Sequence, residues 1–272
     1  MNSLPLFLSY ARYRYIVHRI LLRAKMGRTK RDEYLRNIRL SPIDFLPERT
    51  YVMNNGAKAI PRRGTRDFYM LFVSRERDIK PHLSMHEGET FIDVGANVGS
   101  YTLMVANEYK AKGVRVIAIE AHPENHRALC RNIQANNFIN VKTINKAVSD
   151  HKGVVTLYER SHDGNRADSE LYSLYETFLG QYNIIHPQGK PLQLECDTLD
   201  NMLVNQRVDV MKIDIEGAEV LALKGAESTL KKLRKIIVEV HGDNYKMLRS
   251  LLETYDFKLE MAEITAHIIG SK

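Results

Sequence analysis

The chain has 272 residues, a net charge of +7 and two cysteines, Cys130 and Cys196. That length holds one α/β domain of ordinary size with an appendage. The cysteines lack C-x-x-C and zinc spacing and no run of eighteen apolar residues occurs, which excludes a zinc ribbon, a disulfide scaffold and a simple membrane-spanning helix, and fits a cytoplasmic protein with reduced thiols.

The charge is concentrated at the start. Residues 1–40 carry ten Lys or Arg against two acids, so they hold the whole excess and the rest of the chain is close to neutral. Within residues 5–25, Leu6, Phe7, Tyr10, Tyr13, Ile16, Val17, Ile20 and Leu21 recur at three- and four-residue steps among arginines. This predicts a basic amphipathic helix. Three destinations remain open for it: an anionic membrane surface (peripheral, at the inner face), a protein surface (its own domain or a second copy in a homo-oligomer), or RNA. Nucleic acid is the least favoured, because the catalytic part is not basic.

Residues 50–73 predict one or two short strands around the turn signal Asn54-Asn55-Gly56, and residues 74–87 a linker or short helix. The boundary is placed near residue 80, giving a lead-in of residues 1–80 and a main domain of residues 81–272. From there the pattern alternates: strand 90–95, helix 97–110, strand 114–120, helix 123–137, strand 141–148, and strand-like 153–159. A polar loop from Arg160 to about Lys190 follows, then strand 192–196, a short helix near 198–205, strand 208–214, helix 217–232, strand 236–241, helix 243–255 and two terminal strands within 257–269. Alternating β and α predicts a mostly parallel sheet with helices on both faces, and the last two strands predict an antiparallel pair at its edge.

The stretch Thr90-Phe91-Ile92-Asp93-Val94-Gly95-Ala96-Asn97-Val98-Gly99 runs from an apolar strand through a loop into a helix. An α/β protein uses this unit to bring backbone N–H groups against a nucleotide-like ligand. A dinucleotide fingerprint starting at Gly95 needs glycines at 97 and 100, where the chain has Asn97 and Ser100, which disfavours an NAD-dependent oxidoreductase. The next strand ends at Glu120, at the interval where such folds present an acid to ribose hydroxyls. Asp93, Gly95, Ala96, Asn97, Gly99 and Glu120 are therefore the expected cofactor contacts.

Further along, Lys212-Ile213-Asp214-Ile215-Glu216-Gly217-Ala218-Glu219 runs a strand into an acidic helix start. Acids at a helix N-terminus are stabilised by its dipole, which accounts for Glu219 as readily as function does. Asp214, at the strand end on the ligand edge, is expected to serve both cofactor and chemistry. On the next strand Glu239 and His241 share a face and should converge with Asp214. A hydroxyl acceptor must lose a proton, and Asp214 with His241 is the expected pair, Glu239 beside them. A divalent metal held by Asp214, Glu239 and His241 is the less favoured route. Asn165, Arg166 and Ser169 from the polar loop, with Glu216, are the expected acceptor contacts.

The 93–99 loop resembles motif I of class I S-adenosylmethionine (SAM) methyltransferases. Together, Phe91–Gly99, Ala118-Ile119-Glu120-Ala121-His122-Pro123, Asn145-Lys146-Ala147-Val148-Ser149 and Lys212–Glu219 resemble FkbM-family methyltransferases over roughly residues 80–242. The resemblance implies a class I, Rossmann-like methyltransferase fold and SAM as cofactor, with Ala147 or its neighbours flanking the adenine. It also implies O-methylation of a sugar, glycan, lipid or polyketide-type hydroxyl, and a saccharide or glycolipid acceptor is the leading expectation. The alternatives are an RNA methyltransferase and a non-catalytic SAM-binding partner subunit.

Overall fold

The computed structural model describes residues 46–72, 76–159, 172–173, 178–179, 184–185 and 191–272. The expected amphipathic segment at 5–25 lies outside them. In chain order the lead-in gives β1 (Tyr51–Val52), β2 (Lys58–Ala59) and α1 (Asp67–Phe72). β1 and β2 pair antiparallel across the predicted Asn54-Asn55-Gly56 turn. Residues 67–72 are helical where strand was an option, and a 3-10 turn follows at Lys80–Leu83.

The main alternation is β3 (Thr90–Val94), α2 (Ser100–Glu108), β4 (Arg115–Ile119), α3 (Pro123–Ala135), β5 (Val141–Ile144), β6 (Ala147–Val148) and β7 (Gly153–Glu159). The stretch read as a polar loop contains three two-residue strands: β8 (Tyr172–Ser173), β9 (Phe178–Leu179) and β10 (Ile184–Ile185). Then come β11 (Leu192–Asp197), α4 (Leu199–Met202), β12 (Val210–Ile213), α5 (Glu219–Lys224), α6 (Glu227–Lys232), β13 (Lys235–Glu239), α7 (Tyr245–Glu253), β14 (Lys258–Met261) and β15 (His267–Ser271). The single helix expected at 217–232 is broken in two at Gly225. A Cβ there would lie 2.4 Å from the Ser149 carbonyl oxygen, so the chain passes too close for any side chain.

Seven strands form the main sheet in the order β14-β15-β13-β12-β3-β4-β5. The pairs from β13 through β5 are parallel. β15 is antiparallel to both β13 and β14. The expected antiparallel terminal pair is present, but the last strand is inserted beside β13 and β14 takes the edge. Burial explains the interior place of β15: His267 to Gly270 are all buried, whereas β14 exposes Lys258, Glu260 and Met261.

One sheet face, with Ile92, Ile117, Met211, Ile236 and Val238, packs on Val220, Leu223, Leu230, Leu248 and Leu252 from α5, α6 and α7. The other face starts apolar, with Phe91, Val116, Val210, Ile237 and Ile269 against Leu83 and the α2 residues Val105 and Ala106. Two residues further on, this second face carries Asp93, Lys212, Glu239 and His267. Side chains alternate along each strand, so this one face turns from apolar to charged at the C-terminal ends of the parallel strands. Ligands bind at that edge in open α/β sheets.

The lead-in strands and α1 belong to the same compact unit as the main sheet. The reason is polar as well as apolar. Asn132 and Asn136 of α3 accept from the backbone N–H groups of Ile60 and Lys58 at 2.8 and 2.6 Å, and Ala57 and Ala59 pack with Leu129. Truncating a fully buried leucine such as Leu129 to alanine costs about 2–5 kcal/mol.

Candidate active site

Gly95 begins the loop with φ +81°, and a Cβ there would sit 1.8 Å from the backbone oxygen of Asp214. Only glycine lets β3 and β12 run this close together. The N–H groups of Gly95 and Ala96 both donate to the Ile119 carbonyl, at 2.9 and 3.0 Å, and Asn97 continues with φ +50°. The Asn97 N–H donates to Glu120 Oε2 at 2.8 Å, and the His122 N–H donates to Glu120 Oε1 at 2.9 Å. Glu120 thus ties the 95–99 loop to the turn before α3. Each of its oxygens keeps a further lone pair for a ligand hydroxyl. Burial pushes its carboxyl up to about 7, against the pull of the two backbone bonds, and the nearby Asp93 and Asp214 push the same way as burial. Asn145 secures the turn from below, donating to the carbonyls of Glu120 and Ala121 at 2.7 and 3.0 Å. Ala147 follows, buried and paired in parallel with Cys196.

Asp93 is buried and accepts from the Thr102 hydroxyl at 2.6 Å. It anchors the first turn of α2 from behind the loop. Burial raises its carboxyl, against the attraction of Lys212.

Lys212 is the residue that sequence reading passed over. It is 1% exposed. Its Nζ donates to Asp214 Oδ2 at 2.9 Å and lies 4.7 Å from the centre of the Tyr101 ring. Burial pulls the ammonium down, but Asp214, Glu76, Glu239 and Asp93 more than offset it and keep it cationic. The signal was present as a lysine inside the apolar run Val208–Ile213. A lysine there is costly unless paired.

Asp214 and Glu239 hydrogen-bond to each other and share the edge. Asp214 is held ionised: burial opposes this, but Lys212 and the bond from Glu239 prevail. Glu239 is driven well up by burial, then by the adjacent Asp214 charge. His241 completes the group, with Nδ1 3.0 Å from Glu219 Oε1, and Nε2 3.5 Å from Glu216 Oε2 and 3.9 Å from Glu239 Oε2. Burial disfavours its charge, but the bond and charge of Glu219, then Glu216 and Glu239, raise it to about 10. The surrounding carboxylates thus favour the imidazolium form of His241 at neutral pH.

Glu219 also accepts from the N–H groups of Ile215 and Gly217 at 3.2 and 3.0 Å. These bonds hold the tight 215–217 turn, in which Glu216 and Gly217 have φ of +53° and +103°. The structure therefore brings together Asp214, Glu216, Glu239 and His241. Asp214, Glu216 and His241 offer ligand atoms within 4.8 Å of one another, a different set from the Asp214, Glu239 and His241 expected for a metal. Asp214 already has the Lys212 ammonium, and His241 has Glu219. The acceptor contacts expected at Asn165, Arg166 and Ser169 lie outside the described residues.

Among the described residues around this edge, Glu76, Asp93, Asp214, Glu216, Glu219 and Glu239 face the cations Lys212 and His241. An excess of carboxylates in a partly desolvated cleft favours a cationic ligand.

Comparison with known proteins identifies the family. The family described as Methyltransferase FkbM domain matches residues 93–259. Methyltransferase sdnD of Sordaria araneosa is 26% identical over 175 residues, 54% of this chain and 64% of its own length. Methyltransferase 1 of Beauveria bassiana (strain ARSEF 2860) is 25% identical over 204 residues, 69% of this chain and 78% of its own. Among solved structures, methyltransferase FkbM of Methylobacillus flagellatus KT aligns with a TM-score of 0.47 at 17% identity, over 74% of this chain and 48% of that one. Aeropyrum pernix fibrillarin, solved with natively bound SAM, aligns at 0.44 and 12% identity, over 83% of this chain and 82% of that one. The chain spans less than two thirds of the Sordaria protein and about half of the Methylobacillus chain. With a matched family domain covering more than half of its residues, the chain belongs to the FkbM methyltransferase family.

Proposed function

We propose that the protein is a SAM-dependent methyltransferase acting on a hydroxyl of a saccharide, glycan or glycolipid-type acceptor. The observation that carries the reading is the joined pair of features at one sheet edge. The Gly95–Gly99 loop is clasped to Glu120, and beside it stands the carboxylate-rich group of Asp214, Glu239 and His241. The residues fit the cofactor. Glu120 retains lone pairs for ribose hydroxyls, the loop passes close beneath, and the excess of acids suits a sulfonium and an ammonium.

When bound, SAM supplies an activated methyl group. The chain's own residues hold the two partners in line, which is most of the catalytic task in such a displacement. The hydroxyl proton is assigned to Asp214, the ionised member of its pair with Glu239. Lys212 holds Asp214 in place at 2.9 Å. His241 acts beside them as a fixed cation and hydrogen-bond donor.

The test is transfer of labelled methyl from SAM into cell extracts separated into glycan, lipid and RNA fractions. Label is expected in the glycan or glycolipid fraction and should survive mild alkali, as a methyl ether does. Label confined to RNA, or released by alkali as from an ester, would overturn the reading.

A further inference from the structure

β15 places His267 directly opposite Glu239 of β13, on the charged face of the sheet. His267 is 1% exposed. Its Nδ1 lies 2.9 Å from the Thr265 hydroxyl, which in turn lies 3.1 and 3.2 Å from the two Asp78 oxygens. Asp78 also accepts from the N–H groups of Ile264 and Thr265 at 2.8 and 2.9 Å. A carboxylate that gathers four such contacts acts as acceptor, so the Thr265 hydroxyl gives its proton to Asp78 and can only accept from His267. This fixes the imidazole: Nδ1 carries the proton and Nε2 presents a bare lone pair.

That Nε2 is buried and has no hydrogen-bond partner among the described residues. Buried polar atoms without partners are rare in folded proteins and call for an explanation. The ring stands opposite Glu239, among carboxylates. One ligand atom each of Glu76, Glu239 and His267 lie within 4.8 Å of one another. Two carboxylates and an imidazole converge here, and Lys212, whose hydrogen bond goes to Asp214, lies near enough for Glu76 and Glu239 to stabilise its charge.

We propose that Glu76, Glu239 and His267 form a binding site for a divalent transition-metal ion. Bonds of about 2.0–2.2 Å in tetrahedral geometry place ligand atoms about 3.3–3.6 Å apart, so the three side chains draw together from their present spacing when the ion binds. The imidazole favours Mn²⁺, Co²⁺ or Zn²⁺ over Mg²⁺, which prefers an all-oxygen shell. The Thr265–Asp78 relay behind Nδ1 is the outer hydrogen bonding that orients a metal-ligating histidine. Glu239 has two oxygens, so one can meet the ion while the other stays with Asp214. The site does not depend on the identity of the methyl acceptor.

The test uses the full chain, stripped with chelator and titrated with Mn²⁺ alone, without SAM. Binding is followed by calorimetry and by the electron-spin signal of the bound ion, including coupling to an imidazole nitrogen. One ion per chain is expected with nitrogen coupling. His267→Gln should remove the coupling, and His267→Gln and Glu76→Gln should each weaken binding at least tenfold. His151→Gln, an exposed histidine elsewhere, should leave binding unchanged. If His267→Gln fails to fold, Glu76→Gln, at a half-buried position, decides the matter alone. Absence of saturable binding, or binding indifferent to Glu76→Gln, would overturn the proposal.

Discussion

His241 donates from Nδ1 to the fully buried Glu219 across 3.0 Å, and this bond joins the end of β13 to the first residue of α5. It makes the histidine part of the scaffold as well as of the site. Removing it leaves a buried carboxylate without its cation, at a cost of about 3–5 kcal/mol. His241→Ala is therefore expected to lower the melting temperature clearly, whereas His241→Asn, which keeps a donor, should lower it less. Equal melting temperatures for the two variants would contradict the pairing.

The same bond sets a pH dependence. His241 is raised from 6.5 to about 10, so the stability that it contributes is complete below about 6.5 and is lost as pH rises through about 10. Turnover should accordingly show no His241-dependent fall between pH 8 and pH 6. In folded His241→Asn, turnover with the true acceptor should drop by about 10²-fold, the weight of one fixed electrostatic donor at the reacting atoms. A wild-type rate profile that falls below pH 7 and flattens in His241→Asn would mean that the residue works as a neutral base.

Glu120 has the opposite sign. Its folded carboxyl is raised from 4.5 to about 7, so its contribution to folding stability declines as pH rises from about 4.5 to about 7. SAM binding through ribose hydroxyls uses the ionised form, so affinity should rise between pH 6 and pH 8. Glu120→Ala should weaken SAM by about 1–3 kcal/mol and flatten that slope. Calorimetry across this range in both proteins checks it, and an unchanged slope in the variant would assign the titration elsewhere.

Gly95→Ala forces a Cβ against the Asp214 carbonyl at a left-handed φ. A loss of at least about 1–3 kcal/mol in stability is expected, with SAM affinity falling alongside. Denaturant unfolding measures the first, and unchanged stability would show that the loop can move away from β12.

Much of this was legible in the sequence for a physical reason. Apolar runs such as Phe91–Val94 and Val116–Ile119 fix a parallel strand by composition alone, and the glycines and acids that follow them mark the ligand edge. The partners of buried charge were not legible. Lys212 stands out as a lysine in a largely apolar strand, but which acids it meets is decided only when β12 lies between Asp93 and Glu239, and Glu219 reads as a helix-start acid until His241 arrives from another strand. The insertion of β15 beside β13 is likewise long-range. Local sequence shows two terminal strands, and only the burial of His267–Gly270 decides which of them lies inside. The acceptor contacts sought at Asn165, Arg166 and Ser169 fall outside the described residues.

The basic segment of residues 1–40 lies outside the matched domain. We propose that it docks on an anionic membrane surface or on a partner subunit. Among the described residues no helix is long and apolar enough to cross a membrane. Deleting residues 1–40 should leave SAM affinity intact and reduce sedimentation with anionic vesicles. Loss of SAM binding in folded, truncated protein would place the segment in the core instead.

The central claim is that the Gly95–Gly99 loop and Glu120 form a SAM site. Calorimetric titration of the purified full chain with SAM, its demethylated product and NAD tests this most directly. Micromolar-range binding of SAM and its product is expected, with no binding of NAD. Binding of NAD without SAM would contradict it.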